Sequence, residues 1–518
     1  MTRRTIAVDV ETYDPNLKDK GDGVYRKDGK LLCASWFDGQ SAYSAIPNTQ
    51  QWGVFKGLMA DSSIDKVLHN GIYDLTWLVC GCGVEARGFM HDTMTRMTYI
   101  DEYADLDLDS CCKYFKVQGK NKSDTIEHWY EQHLGEIMAL LKAEGFKPKR
   151  TDKLWKWSGW LWDNFAEFRN QMMTYNKQDC RATWYLYMAQ EPKMARVMDA
   201  YMIDVKLTPL VLEMKKRGVL IDQTYLKQLT EQVQSDIERV DAMLLDVYGI
   251  TPEVINSPKQ LGERLNAMGI HSPTRTETGA ESWNKESMSR IRHLYPVIPL
   301  IEEHRNYAGL LGKYLQGDMA RAICDDGRIH CTFSPNKRED GGTITGRFAC
   351  SHPNLQNIPA NSRVVGHMYG QEMRMLFIPE EGCMMGAFDY SQVEYLLLCH
   401  FAVGSQAEWF RGQANAGVDF HSLAMAATGI TERRVCKNFN YGVIYGMGAR
   451  TAMMNSYSMF EQITCQKLGK EAVTQDEVWD YVNDAYNTYH KKLPVIRDTM
   501  RYVEQQAQMM GYVETIGG

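Results

Sequence analysis

The run Thr5-Ile6-Ala7-Val8-Asp9-Val10-Glu11 constrains this chain more than any other stretch. Its apolar residues read as a first β-strand over Thr5–Val10, with two carboxylates at its end. Side chains alternate across a strand, so residues two apart share a face. Asp9 and Glu11 therefore reach one metal cluster. Two further acids fit the same pattern. Asn70-Gly71-Ile72-Tyr73-Asp74 follows a short strand at Lys66–Leu68 and opens a helix at Gly71, and Tyr175-Asn176-Lys177-Gln178-Asp179 reads as helix. Each places two polar groups four apart, on one helix face. Four hard oxygen ligands suit Mg²⁺ or Mn²⁺ rather than zinc. Two such ions, ~3.5–4 Å apart, clamp the attacking and leaving oxygens of an in-line phosphoryl displacement. Tyr175 can orient the attacking water without losing its proton. A lone Asp-x-Glu or Tyr-x₃-Asp is commonly structural; the set, in order and on matching elements, is a site.

At 518 residues the chain exceeds one ordinary core, so at least two domains are expected. With 44% hydrophobic and 24% charged residues it reads as a soluble globular protein with no membrane-spanning run. Met1-Thr2-Arg3-Arg4 leads straight into the first strand, leaving no room for a signal peptide, and a cytoplasmic location is expected. The thirteen cysteines have no metal or disulfide spacing and read as reduced thiols. A net charge of −7 counts against a nucleic-acid partner, though acidic metal sites add negative charge while a local basic groove still tracks phosphates.

The first ~190 residues alternate short apolar runs with helical stretches, the mark of an α/β layer. The pattern changes near Glu191-Pro192. Leu226, Leu229, Val233, Ile237, Val240 and Leu244 predict a helix over Thr224–Tyr248, and another is expected between Pro299 and Gln316. With the tip Asn256-Ser257-Pro258 they suggest a protruding helical arm. Arg328–Phe333 and Met384–Phe388 read as strands, Thr431–Tyr445 and Asp476–Tyr489 as helices, and Pro494 starts another. Trp155, Trp157, Trp160 and Trp162 suit burial better than stacking on single-stranded DNA.

The second half carries its own constellation. Thr345-Gly346-Arg347 and Asn354-Leu355-Gln356-Asn357 are rich in amides, which bind backbone and minor-groove acceptors shared by every sequence. Phe388-Asp389-Tyr390-Ser391-Gln392-Val393-Glu394 places an acid at a strand end before a helix. Arg433, Lys437, Tyr441 and Tyr445, each four apart, form one helical stripe of two cations followed by two aromatics. Cations hold a triphosphate, and rings pack on base and sugar.

On these residues the first ~190 positions resemble the 3′→5′ proofreading exonucleases with three Asp, one Glu and one Tyr. The remainder resembles family A DNA polymerases of the bacterial-repair and phage-replication kind. The resemblance implies an α/β, ribonuclease H-like exonuclease domain at 1–190. It implies a mainly helical α+β polymerase domain of right-hand shape at 191–518: thumb about 208–322, palm about 323–405, fingers about 406–490 and a partial return to the palm over 491–518. It implies metal binding by Asp9, Glu11, Asp74, Asp179 and Asp389, with two Mg²⁺ or Mn²⁺ per active site. Glu394 would be the steric gate against a ribose 2′-OH. Arg433, Lys437 and His421 would hold the phosphates of the incoming dNTP, Tyr441 would pack beside it, and Tyr445 would guard the template position. Arg347, Asn354, Gln356 and Asn357 would contact primer-template DNA. Leu396 stands where many members have Arg, and Tyr441 where many have Phe. The second metal-binding Asp of the family, in a His-Asp-Glu hairpin, is missing here; the only His-Asp pair is His91-Asp92. The expectation is a DNA-directed DNA polymerase with a proofreading exonuclease, C-terminally incomplete. The alternative is an exonuclease or DNA-binding half of a split polymerase, with a second chain or a missing C-terminal segment supplying the rest of the palm.

Overall fold

The computed structural model describes residues 3–119, 125–334, 343, 345–359 and 369–515. Its described residues divide into two compact units. The first is drawn from residues 3–232 and 309–383, the second from 233–308 and 384–515.

The first unit is built on a five-stranded mixed sheet. Strands β1 (Arg4–Tyr13), β2 (Lys30–Phe37), β3 (Ala42–Ala45), β4 (Ile64–Leu68) and β5 (Met90–Asp92) lie in the order β3-β2-β1-β4-β5. β2 pairs antiparallel with β1 and β3, and β4 pairs parallel with β1 and β5. Strict alternation on β1 gives the sheet two different faces. Ile6, Val8 and Val10 pack with Trp36, Phe55 and Leu68 on one side. Ala7 packs with Phe37 and Cys180 on the other. Asp9 and Glu11 share Ala7's parity, so they face the long helix Ala166–Met194 that carries Cys180. That helix buries Phe168, Met172, Asn176, Asp179, Cys180, Thr183, Leu186 and Gln190 at three- and four-residue spacing, which lays one stripe along the sheet. Beside it Trp157 and Trp162 are buried and Trp160 packs against them, so three of the four tryptophans serve the core. Trp155 is exposed.

The expected helices form with small shifts at their ends: Gln223–Tyr248, Val297–Leu310 with a π-turn to Leu315, Arg433–Ile444, Gln475–Lys492 and Pro494–Met510. Ser257 caps the helix Pro258–Ala267 by accepting from the Gln260 amide. The expected strand over Arg328–Phe333 divides in two. Arg328–Ile329 pairs with Val219–Leu220, and Thr332–Ser334 pairs with Ala349–Ser351.

One expectation fails outright: Met384–Phe388 is not a strand. It is apolar but holds Gly386 and Ala387, which suit strands poorly, and a strand also needs a neighbour for its backbone groups; no described residue pairs with it. Met384 and Phe388 are 95% and 99% exposed. The second unit is otherwise helical around a core that includes Tyr395, Phe410, Phe420, Phe439, Phe460 and Tyr489. Among the described residues no helix is long and apolar enough to cross a membrane.

Candidate metal centre

The sheet and the Ala166–Met194 helix bring three of the four expected acids together. Oxygen atoms of Asp9, Glu11 and Asp179 lie within 4.8 Å of one another. Three like charges this close repel unless protons or a cation compensate them, and the donor set is all carboxylate oxygen, which fits a hard divalent ion. Asp9 and Glu11 are half-buried and Asp179 is buried.

Asp74 reaches the same region from the short helix Gly71–Leu75. The parallel ladder between β1 and β4 ends at the Ala7–Val67 pair, while β1 continues. The Val10 amide beyond that end donates to Asp74 Oδ1 at 3.0 Å. Asp74 is 4% exposed, and burial pushes its carboxyl up to about 8, opposed by the Val10 N–H and reinforced by the charges of Asp92 and Asp179. A cation nearby would favour the ionised form. Tyr175 lies one helical turn before Asp179 and is half-buried. The thiols of Cys33 and Cys180 lie beneath the cluster. Burial, with the charges of Glu11 and Asp9 at Cys33 and of Asp9 and Asp179 at Cys180, pushes both well up; neutral thiols do not compete for a hard ion.

Sequence reasoning missed Asn176. It is fully buried and donates from Nδ2 to Asp9 Oδ2 at 2.5 Å, fixing that carboxylate's orientation. Its signal was available: a polar amide three residues before Asp179 falls on the same helix face.

The second unit assembles the other constellation only in part. The helix Arg433–Ile444 buries Val435, Cys436, Phe439, Asn440 and Val443. Its other face carries exposed Arg433 and Lys437 and half-buried Tyr441, with exposed Tyr445 just past the end. Arg433 donates to Asp419 and to Ser422 Oγ, and this guanidinium holds the Asp419 carboxyl well below the usual range. Lys437 Nζ stands 5.8 Å from the Tyr441 ring centroid. His421 is buried in edge contact with the Tyr441 and Tyr395 rings, and burial lowers its pKa. Burial also raises the Tyr441 hydroxyl, helped by the charges of Glu394 and Asp389, so those two acids lie near this face. Asp389 itself is exposed, on the segment that forms no strand.

The amide-rich turn belongs to the first unit. Asn354 accepts from the Gln356 amide at 3.0 Å and so caps the 3₁₀ turn Leu355–Asn357. Gln356 Nε2 donates to the Phe348 carbonyl at 3.0 Å, and the Asn357 carbonyl accepts from Tyr314 Oη at 2.7 Å. Arg347, Asn354, Gln356 and Asn357 are all exposed.

Comparison with known proteins adds two family matches. The family model described as DNA polymerase family A matches residues 223–518, and that described as 3′-5′ exonuclease matches residues 3–195. A DNA-directed DNA polymerase of Pseudomonas phage M6 is 26% identical over 573 residues, covering 99% of this chain and 80% of its own. DNA polymerase I of Caldicellulosiruptor bescii is 28% identical over 323 residues, covering 61% of this chain and 34% of its own. DNA polymerase I of Synechocystis sp. is 26% identical over 485 residues, covering 90% and 42%. The chain thus spans well under half the length of these two bacterial relatives. Among solved structures, the POL domain of Pol1 from M. smegmatis, in complex with DNA primer-template and dNTP, superposes with a TM-score of 0.66 at 20% identity, covering 99% of this chain and 76% of that one. That likeness concerns the fold.

Proposed function

The chain belongs to DNA polymerase family A and carries a 3′-5′ exonuclease domain, and from that premise we propose that it removes nucleotides from DNA 3′ ends and takes part in template-directed DNA synthesis. The observation that carries the first activity is the convergence of Asp9, Glu11 and Asp179 within 4.8 Å. Asp9, Glu11, Asp74 and Asp179 would hold two Mg²⁺ or Mn²⁺ ions. When bound, such ions supply an activated water and charge neutralisation for phosphodiester hydrolysis. The chain's own groups set the geometry. Asn176 orients Asp9, the Val10 amide orients Asp74, and the Tyr175 hydroxyl orients the attacking water.

For synthesis, Arg433, Lys437 and His421 hold the phosphates of a dNTP, Glu394 and Tyr441 bound its sugar, and Tyr445 stands at the template position. Asp389 would hold metal, and Arg347, Asn354, Gln356 and Asn357 would grip primer-template DNA. The exonuclease domain spans 1–190, followed by thumb, palm and fingers at about 208–322, 323–405 and 406–490, and a partial return to the palm over 491–518. The work is phage DNA replication in the host cytoplasm. In support, the phage relative aligns over 80% of its own length, whereas the two bacterial ones align over 34% and 42%.

A second reading is favoured by the bare segment ending at Asp389. With Met384 and Phe388 almost fully exposed, the polymerase half would need strands from a second chain or a further C-terminal segment, and the chain alone would be an exonuclease that grips DNA. The test uses a 5′-labelled single strand and a primed template. Stepwise shortening from the 3′ end with Mg²⁺, lost with chelator and in Asp9→Ala, is expected. An Asp9→Ala chain as active as the parent refutes the nuclease. Primer extension by the chain alone separates the two readings of the polymerase half.

A further inference from the structure

Asp92 ends β5 at the point where it pairs with Leu68, the last residue of β4. Its carboxylate serves two chain reversals at once. Oδ1 accepts from the Met94 amide at 2.8 Å and the Thr95 amide at 3.1 Å, capping the helix Thr93–Ile100. Oδ1 also accepts from the Asn70 amide at 3.3 Å, and Oδ2 from the Gly71 amide at 2.6 Å. Those last two residues are the turn that launches the Gly71–Leu75 helix.

That turn is strained and tightly packed. Asn70 has φ +62°, in the left-handed region that costs a residue with a Cβ about 1 kcal/mol. A Cβ at Gly71 would meet Leu68 Cβ at 2.7 Å. The Gly71–Leu75 helix runs straight into a π-helical turn over Thr76–Gly81, and a helical segment this short is marginal on its own, so external bonds at its start help to decide its direction, and Asp74 sits in its first turns. Asp92 is itself held from a third element. Its amide donates to Tyr201 Oη at 2.9 Å, and Tyr201 is fully buried on the Met198–Arg217 helix.

We propose that Asp92 is a positioning residue for the acid cluster, acting through the Asn70–Gly71 turn to aim Asp74, with Tyr201 as its anchor. The inference rests on the metal-dependent nuclease reading above. Asp92 is not one of the clustered ligands; its contribution is to the direction of a ligand-bearing helix.

The test uses the full chain with Asp92→Ala, Asp92→Asn and Tyr201→Phe, and two readouts: Mn²⁺ affinity by electron paramagnetic resonance titration, and kcat and KM on a single strand at varied Mg²⁺. Asp92→Ala is expected to weaken Mn²⁺ binding and lower kcat by about 10–100-fold, the usual effect of removing a group that orients a metal ligand, with KM for the strand within about twofold. Asp92→Asn keeps one acceptor and recovers part of the loss. If the Ala variant does not fold, the Asn and Tyr201→Phe variants decide, each expected to weaken Mn²⁺ binding severalfold. Parental Mn²⁺ affinity in the folded variants overturns the inference while leaving the nuclease intact. A parent chain that binds no Mn²⁺ overturns both.

Discussion

Asp179 and Asp389 are both carboxylates expected to hold divalent metal, and the protein treats them differently. Asp179 lies on a 29-residue helix packed along a five-stranded sheet, with Asp9 and Glu11 delivered by the central strand. Asp389 lies on an exposed segment without secondary structure. The difference shows what a carboxylate cluster requires. Acids repel one another and prefer water, so they converge only where apolar packing elsewhere holds the backbone. Ile6, Val8 and Val10 on one face of β1, with Ala7 and Cys180 on the other, supply that packing in the first unit. Phe388, the apolar neighbour of Asp389, packs on almost nothing.

The largest expected effect contrasts the two acids directly. Asp179→Ala should lower 3′-end hydrolysis by about 10²–10³-fold, the scale of removing one preorganised electrostatic group from an active site. Asp389→Ala should leave that rate unchanged within about twofold. The measurement is single-turnover cleavage of a labelled single strand. Equal losses from the two substitutions would break the separation between the sites.

Much of the first site was legible in the sequence, and the reason is geometric. Period two on β1 and period four between Tyr175 and Asp179 fix which side chains share a face before any tertiary contact is known, whereas Asn70, read four before Asp74 on one helix, lies in a left-handed turn ahead of that helix. What stayed hidden was whatever depends on neighbours from distant sequence. Asn176 carries no charge to mark it, and its role appears only when Asp9 lies against it. The Val10 amide is special only because β4 stops short. The Met384–Phe388 run failed for a related reason: it is apolar, but apolarity alone does not make a strand of a run with Gly386 and Ala387, and pairing partners are not a local property.

The next effect probes the burial of the first site. Asp74 ionises near 3.8 in an unfolded chain and near 8 when folded and metal-free. Between those values the folded state binds the extra proton, so this group's contribution to stability falls as pH rises. In chelator, the stability of Asp74→Asn minus that of the parent should therefore grow between pH 4 and 8, with a slope approaching about 1.4 kcal/mol per pH unit. Mg²⁺ should reverse the trend by stabilising only the parent. Parallel pH profiles from denaturant titrations would mean that Asp74 is not buried as an isolated carboxyl.

A smaller effect asks how well built the second unit is away from Asp389. Tyr489 Oη donates to Asn440 Oδ1 at 2.6 Å, and Asn440 Nδ2 lies 3.3 Å from His421 Nδ1 and from the Phe420 carbonyl oxygen. Asn440 and Tyr489 are buried. Tyr489→Phe leaves the Asn440 carbonyl without that donor and should cost about 1–3 kcal/mol, measured as a shift of denaturation midpoint. No shift would mean that this network is loose, and that the whole second unit, not only its exposed segment, is poorly specified.

The smallest effect is the sharpest on the comparison itself. Phe388 is 99% exposed, so Phe388→Ser removes a ring that already faces water, and the stability of the chain alone should stay within about 0.5 kcal/mol of the parent. A buried aromatic cut to a small residue would instead cost about 3–5 kcal/mol. Denaturant titration of the parent and variant distinguishes these directly. A loss above about 2 kcal/mol would mean that part of this chain covers Phe388 after all, and Asp389 would then be as firmly held as Asp179. An unchanged chain leaves the apolar side of Asp389's segment free to be packed by strands from elsewhere. In that case the same Phe388→Ser change should become costly once those strands are supplied.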